Sequence, residues 1–208
     1  MRRGPIGGIH LLAMTAAAAA VLAACAGPTV TATPSIAPSP AATTAASPSQ
    51  TASAGILVDE TLIALLPSQV AGIAVVSDPA TAASIAADPN LAIAASAMAV
   101  GLAVGPGSSD QGAEDLAIVS VVQLRPDVFD DDFFRSWRDS YDAAACEAAG
   151  GVQGNAQAEI AGHDTYIGTC VQGAFTYHTY LEGRNVLISI TSVGTERLGE
   201  QVVAGLGE

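Results

Sequence analysis

Hydrophobic and polar positions in the last third of the chain follow a pattern typical of an antiparallel sheet. Four segments rich in β-branched and aromatic residues are separated by short turns with glycine or polar residues. Strands are therefore expected at residues 156–161, 164–171, 174–181 and 185–192. Connections this short predict a meander, in which each strand pairs with the next.

Upstream of the meander, the apolar positions predict helices and further strands. Phe133, Trp137 and Tyr141 recur at helical spacing, which predicts the longest helix over residues 130–148 and places its apolar face on the sheet. Residues 116–124 form an apolar run typical of a central strand buried on both faces. The remaining expected elements are helices at 59–66, 78–88, 91–97 and 196–206, strands at 70–76 and 98–104, and a loop at 105–111.

The charged residues of the long helix have an ordinary structural explanation. Asp130, Asp131 and Asp132 lie in its first turn, where carboxylates interact favourably with the helix dipole. Asp131 with Arg135, and Arg138 with Asp142, are each four residues apart and can pair. Consecutive carboxylates point in different directions around a helix and no calcium loop follows, so no metal site is predicted.

These elements together predict one α+β domain over residues 56–208. We expect an antiparallel sheet of about six strands packed by helices. The 153 residues of this segment are enough for a single hydrophobic core. Aromatic residues make up only 4% of the chain, so alanine, valine, isoleucine and leucine must fill most of that core.

The first 24 residues have the layout of an export signal. Arg2 and Arg3 are followed by an uncharged apolar run at residues 11–24. As a helix this run is about 21 Å long, shorter than the roughly 30 Å hydrocarbon layer, which favours a cleavable segment. A secretory signal with an incidental cysteine, and a buried alanine-rich helix in a cytosolic protein, are the alternatives.

The end of this run, Leu22-Ala23-Ala24-Cys25, resembles the lipobox of bacterial lipoproteins. The resemblance implies that signal peptidase II cleaves before Cys25 and that the Cys25 sulfur carries a diacylglyceryl group. Two acyl chains are enough for stable anchoring. The implied location is the outer face of the bacterial cell membrane, with membrane lipid as a partner.

Residues 25–55 predict a disordered tether between the anchor and the domain. They lack charge and aromatic side chains and consist mostly of alanine, threonine, serine and proline, so they cannot bury a core. As a flexible coil the tether spans about 30 Å, a suitable spacer between a bilayer and a folded domain. O-glycosylation of the tether is a secondary hypothesis.

The net charge of the chain limits the kinds of partner that it is expected to bind. The chain has 7 basic residues, all arginine, against 20 acidic ones, for a net charge of -13 at pH 7. Such a charge repels nucleic-acid phosphates and anionic head groups, which argues against nucleic-acid binding and a polybasic membrane patch.

Cys146 and Cys170 are the two cysteines besides Cys25. An exported domain meets oxidising conditions, so we predict that they form a disulfide that pins the long helix to the sheet. The competing hypothesis is a thiol nucleophile with His163 or His178 as its base.

The candidate ligand-binding residues are His178, Tyr180 and Trp137. His178 and Tyr180 share one face of a predicted strand with Thr176, and that polar and aromatic face is typical of a ligand groove or of the wet side of an edge strand. The chain contains no phosphate loop, no G-x-S-x-G elbow, no dinucleotide fingerprint and no spaced zinc ligands, so no catalytic residue and no cofactor are predicted.

In layout the domain is similar to two groups of extracytoplasmic domains. Leu65-Leu66-Pro67, Trp137, Cys146, Cys170 and the run 185–188 occur in an order that resembles the sensor domains of some bacterial serine/threonine kinases, although the second disulfide typical of that group is absent. The order of helix, meander and helix also resembles PsbP-like lipoproteins.

The function expected from these features is a lipid-anchored, non-catalytic module that binds or senses an envelope ligand or protein. One alternative is a cell-envelope hydrolase that uses His178 with a nearby acid. The other is an assembly scaffold, for which a stoichiometric partner is expected.

Overall fold

A computed structural model of the chain describes residues 55–105 and 115–207. The expected signal peptide, the lipidation site at Cys25, nearly all of the tether and most of the predicted 105–111 loop lie outside these residues. No helix within the described residues has both the length and the apolar character needed to cross a bilayer.

The described domain is α+β, with helices on a large and mostly antiparallel sheet. The strands are β1 Leu57–Val58, β2 Gln69–Val70, β3 Ile73–Ala74, β4 Val76–Ser77, β5 Ala95–Val104, β6 Leu116–Leu124, β7 Val152–Ile160, β8 His163–Cys170, β9 Phe175–Leu181 and β10 Val186–Val193. The helices are α1 Pro79–Ala86, α2 Leu91–Ala94, α3 Asp131–Cys146 and α4 Leu198–Ala204, with 3-10 turns at Glu60–Leu65, Glu147–Ala149 and Glu182–Arg184.

Within the described residues the main sheet has eight strands, so the expected number of about six was wrong. Its order is β1-β5-β6-β10-β9-β8-β7, and β4 also pairs with β5. Among the described strands, only β1 runs parallel to its neighbour in this sheet, and the other pairings are antiparallel. The meander of β7 to β10 is confirmed, and β6 is an inner strand between β5 and β10 as predicted.

The segment predicted as a strand at residues 70–76 is instead divided among three short strands. Ala71 and Gly72 have positive φ angles of 50° and 76°, so the chain reverses there and β2 and β3 form a separate hairpin. β4 then pairs with Leu102 and Gly101 of β5. Of these three strands, β4 alone joins the main sheet, where the short β1 is a further strand that the sequence did not predict.

Each face of the sheet carries a hydrophobic cluster. One cluster lies under α4 and the 3-10 turn Glu60–Leu65, and it includes Tyr177. The other lies under α1 and α3, and it includes Leu187 and Trp137. Because side chains alternate along a strand, β9 sends Tyr177 to the first cluster and His178 to the α3 face.

Helix α3 begins and ends close to where the sequence predicts. The Asp130 side chain accepts a hydrogen bond of 2.7 Å from the Phe133 N–H, and Gly150 ends the following 3-10 turn with a φ of 84°.

The two possible ion pairs between residues four apart along α3 do not form. Arg135 pairs with Asp132 at 3.0 Å and Arg138 with Asp139 at 3.1 Å. Asp142 instead faces the sheet, where strand side chains provide its hydrogen bonds.

Candidate functional site

A chain of buried polar side chains joins α3 to β9 and β10. One carboxylate oxygen of Asp142 accepts a bond from the Thr176 hydroxyl at 2.5 Å and lies 2.8 Å from His178 Nε2. His178 Nδ1 lies 3.0 Å from the Ser189 oxygen, which accepts a bond of 2.8 Å from Trp137 Nε1. Asp142 is 3% exposed and His178 is completely buried, so water does not complete these bonds.

One placement of the protons satisfies all the hydrogen bonds of this network. A carboxylate only accepts, so His178 Nε2 carries the proton that it donates to Asp142. With the imidazole proton on Nε2, His178 Nδ1 is an acceptor, so the Ser189 hydroxyl donates to Nδ1 while its oxygen accepts from the Trp137 N–H. The result is a continuous chain from Trp137 through Ser189 and His178 to Asp142.

Gly168 on β8 makes room for the Asp142 carboxylate. A Cβ atom at this position would lie 2.6 Å from Asp142 Oδ2 and would also collide with the Thr176 hydroxyl. The helix can therefore bring its carboxylate against the sheet only because β8 has no side chain at residue 168.

The structure brings two of the three predicted ligand-binding residues into one cluster. His178 and Trp137 both contact Ser189, and Tyr180 lies farther along β9, stacked on Phe129 with ring centroids 3.5 Å apart. The wet-edge interpretation was wrong, because β9 lies between β8 and β10 and α3 covers its polar face. Ligand binding by these three residues stays a prediction.

Sequence reasoning missed Asp142 and Ser189 as partners of His178. The sequence does contain a signal for Ser189. The short turn between β9 and β10 sets the register of the two strands, and this register places Ser189 directly opposite His178. Asp142 was assigned to an ion pair on the helix surface, and its inward position follows only from how α3 lies on the sheet.

An open cleft lies beside this network, between α3 and one end of the β7–β8 pair. Its volume is about 400 Å³, within the range of small-molecule sites. The residues that line it are Phe134, Gln157, Ala158, Glu159, Asp164, Thr165 and Tyr166. None of these residues was predicted as a site residue, because the cleft forms only where α3 crosses the two strands.

Two carboxylates meet in this cleft. Glu159 of β7 is directly opposite Asp164 of β8, and Gln157 is opposite Tyr166 on the same face of the sheet. Like charges at opposed positions of an antiparallel pair destabilise a sheet. Neither carboxylate forms an ion pair with a residue of the described domain, and both residues are exposed, so the two charges remain open to solvent and to a ligand.

Tyr166 forms the floor of the cleft and connects it to the buried network. The Arg138 guanidinium carbon lies 3.9 Å from the centre of the Tyr166 ring, and the His178 ring lies 6.2 Å away. Tyr166 is 7% exposed, yet its hydroxyl makes no hydrogen bond with another described residue. Burial raises the pKa of Tyr166, and the charge of Arg138 opposes part of this increase.

The predicted disulfide between Cys146 and Cys170 is confirmed. Their Cα atoms are 5.2 Å apart, and the bond ties the end of α3 to the end of β8. Both sulfurs are used in this bond, so neither cysteine is a free thiol nucleophile.

Neither metal chemistry nor known relatives identify the site. Residues 55–105 and 115–207 contain no group of three or more histidine, cysteine, aspartate or glutamate side chains that could hold a metal ion. The chain matches no protein family, no curated protein and no solved structure. Its function must therefore be inferred from its own residues.

Proposed function

We propose that this protein is a bacterial lipoprotein whose domain is a non-catalytic binding module on the outer face of the cell membrane, and that it binds its ligand in the α3–β7–β8 cleft. The observation that carries the binding role is a cleft of about 400 Å³ whose polar lining is open to solvent and has no ion-pair partner in the described domain. Two opposed carboxylates and the Tyr166 hydroxyl face one open space without partners among the described residues. Polar groups kept in this state inside a concave site are typical of recognition.

Three features support the membrane anchor and the location outside the cytoplasm. The lipobox-like run ends at Cys25, after an apolar segment too short to span a bilayer. The other two cysteines are joined, as is usual in oxidising compartments. The net charge of -13 makes electrostatic attachment to anionic lipid unfavourable, so a lipid group is the better membrane link.

The intact mass of the full-length chain expressed in a bacterium tests the anchor. We expect a mature protein that lacks residues 1–24 and carries a diacylglyceryl group on Cys25. The Cys25→Ser variant should keep the signal segment and lose the added lipid mass. An unmodified wild-type polypeptide that still begins at Met1 would contradict the proposal.

Saturation-transfer NMR with a library of small polar fragments tests the cleft. Gln157→Trp places an indole among the lining residues, whereas Gln153→Trp makes the same change on β7 away from the cleft. We expect fragments that bind the wild type and Gln153→Trp to lose binding to Gln157→Trp. Binding that is equal in all three proteins, or absent from all of them, would show that the cleft is not a ligand site.

A hydrolase is the second candidate, because Ser189, His178 and Asp142 are linked in the order nucleophile, base and orienting acid. Burial argues against it. Ser189 and His178 are fully buried under α3, and the Trp137 N–H occupies the Ser189 oxygen, so a substrate carbonyl cannot approach.

A fluorophosphonate probe separates the two functions. We expect no covalent labelling of the folded wild-type protein. Labelling that disappears in the Ser189→Ala variant would favour the hydrolase.

A further inference from the structure

We infer that the cleft recognises a guanidinium cation of the kind that an arginine side chain presents, and that Arg138 is a built-in competitor for this ligand. The inference rests on the proposed function, since it names the ligand class of the same cleft. It is carried by the opposed carboxylates, by the face of the Tyr166 ring and by the present position of Arg138.

The carboxylates give the cleft the charge that a cation requires. Glu159 and Asp164 are register partners on the α3 face of the sheet, and no described residue neutralises them. A planar cation between them would convert a repulsive cross-strand pair into two charge-assisted hydrogen bonds. The overall charge of -13 further favours the approach of a cation.

Tyr166 adds a second, independent preference for a cation. Its ring already holds the Arg138 guanidinium at 3.9 Å, well inside the roughly 6 Å limit for a cation–π contact. Its hydroxyl makes no hydrogen bond with another described residue, and so is available to accept from an N–H group. Phe134 supplies an apolar wall for the ligand's alkyl stem.

Arg138 can leave the Tyr166 ring at low cost. Its only described ion-pair partner is Asp139, whose side chain is 60% exposed, and exposed ion pairs contribute little to stability. The Arg138 side chain is 19% exposed and takes no part in the hydrogen bonds of the buried network, so it can move outward without breaking them. A ligand guanidinium can then take its place on the ring.

Calorimetric titration of the full-length lipidated protein in detergent tests this inference, with N-acetyl-L-argininamide as the probe. The neutral isostere N-acetyl-L-citrullinamide is the matched control ligand, and we expect it to bind about tenfold more weakly. Agmatine tests whether a free guanidinium compound binds as a peptide side chain does; binding of either guanidinium probe supports the ligand class.

Three variants assign the binding to the cleft. Arg138→Gln should tighten binding of N-acetyl-L-argininamide about two- to fivefold, since the ring is then unoccupied. Glu159→Gln combined with Asp164→Asn should weaken it about tenfold or more. Glu60→Gln combined with Asp88→Asn removes the same charge far from β7 and β8, and should leave the affinity unchanged within about twofold.

The outcomes separate this inference from the proposed function. Equal affinity for the arginine and citrulline probes, or unchanged affinity in the Glu159 and Asp164 variant, would overturn the guanidinium class. Failure of both guanidinium probes to bind either the wild type or Arg138→Gln would overturn it as well. The proposed function would still stand in each case if fragment binding remained sensitive to Gln157→Trp. Weaker binding to Arg138→Gln would overturn the competitor role of Arg138.

Discussion

Asp142 occupies a buried position where a carboxylate is energetically unfavourable. It is 3% exposed, and a buried charge destabilises a fold unless hydrogen bonds compensate for the lost water. Thr176 and His178 provide those bonds, and both come from β9. The network therefore fixes which face of α3 lies on the sheet, a directional constraint that apolar contacts alone do not provide.

We predict that Gly168→Ala destabilises the protein by about 2 kcal/mol or more, because the new Cβ would push against the buried Asp142 carboxylate. Gly154→Ala is the matched control, since a Cβ at that strand position meets nothing within 4 Å. The free energy of unfolding of this control should stay within about 1 kcal/mol of that of the wild type. Urea unfolding measures both changes, and equal stability of the two variants would show that Gly168 is not a close-contact position.

Individual site residues could be predicted only where their spacing along the chain marks them. His178 and Trp137 stood out because an imidazole on a strand and an indole on an amphipathic helix are visible in the pattern of the chain. Glu159, Asp164 and Arg138 looked like ordinary surface charges. Their meeting around Tyr166 depends on where α3 crosses the sheet, which local spacing does not reveal.

Among the secondary-structure elements, the half-buried strands were predicted correctly from the alternation of polar and apolar residues and from the turn residues between them. The meander and α3 appear close to their expected positions. β7 is longer than predicted, because its first residues, Val152 to Asn155, include glutamine, glycine and asparagine and are held as a strand by pairing with β8. Tertiary pairing thus overrides weak local preference at the edge of the sheet.

The disulfide yields a prediction about α3 as an element. Cys146→Ala combined with Cys170→Ala should lower the free energy of unfolding by about 3 kcal/mol, because the bond closes a loop with a sequence separation of 24. A reductant should lower the urea midpoint of the wild type and leave that of the double variant unchanged. A wild-type midpoint that is insensitive to complete reduction would mean that the bond does not stabilise the fold.

Tyrosine ionisation dominates the titration of the whole molecule at alkaline pH, because all of its basic residues are arginine. The chain has 4 tyrosines and no lysine. Burial raises the pKa of Tyr141, Tyr166, Tyr177 and Tyr180 above the ordinary value of 10.0. These residues lie on both faces of the sheet, so their ionisation reports on the packing of the entire domain.

We predict that the domain loses stability as the pH rises above 10.0, the ordinary tyrosine value. A raised folded-state pKa means that the unfolded chain releases its phenolic protons first, so the stabilising contribution is complete below that pH and is lost as the pH approaches the folded-state values. Urea midpoints measured across this range should fall together with the rise in near-ultraviolet tyrosinate absorbance. Tyr141→Phe removes one partly buried phenol and should make the decline shallower, although loss of the Thr191 hydrogen bond lowers stability at neutral pH. Tyrosinate absorbance that rises while the folded signal and the urea midpoint stay constant would contradict this coupling, because it would show that the phenols ionise without leaving their packed positions.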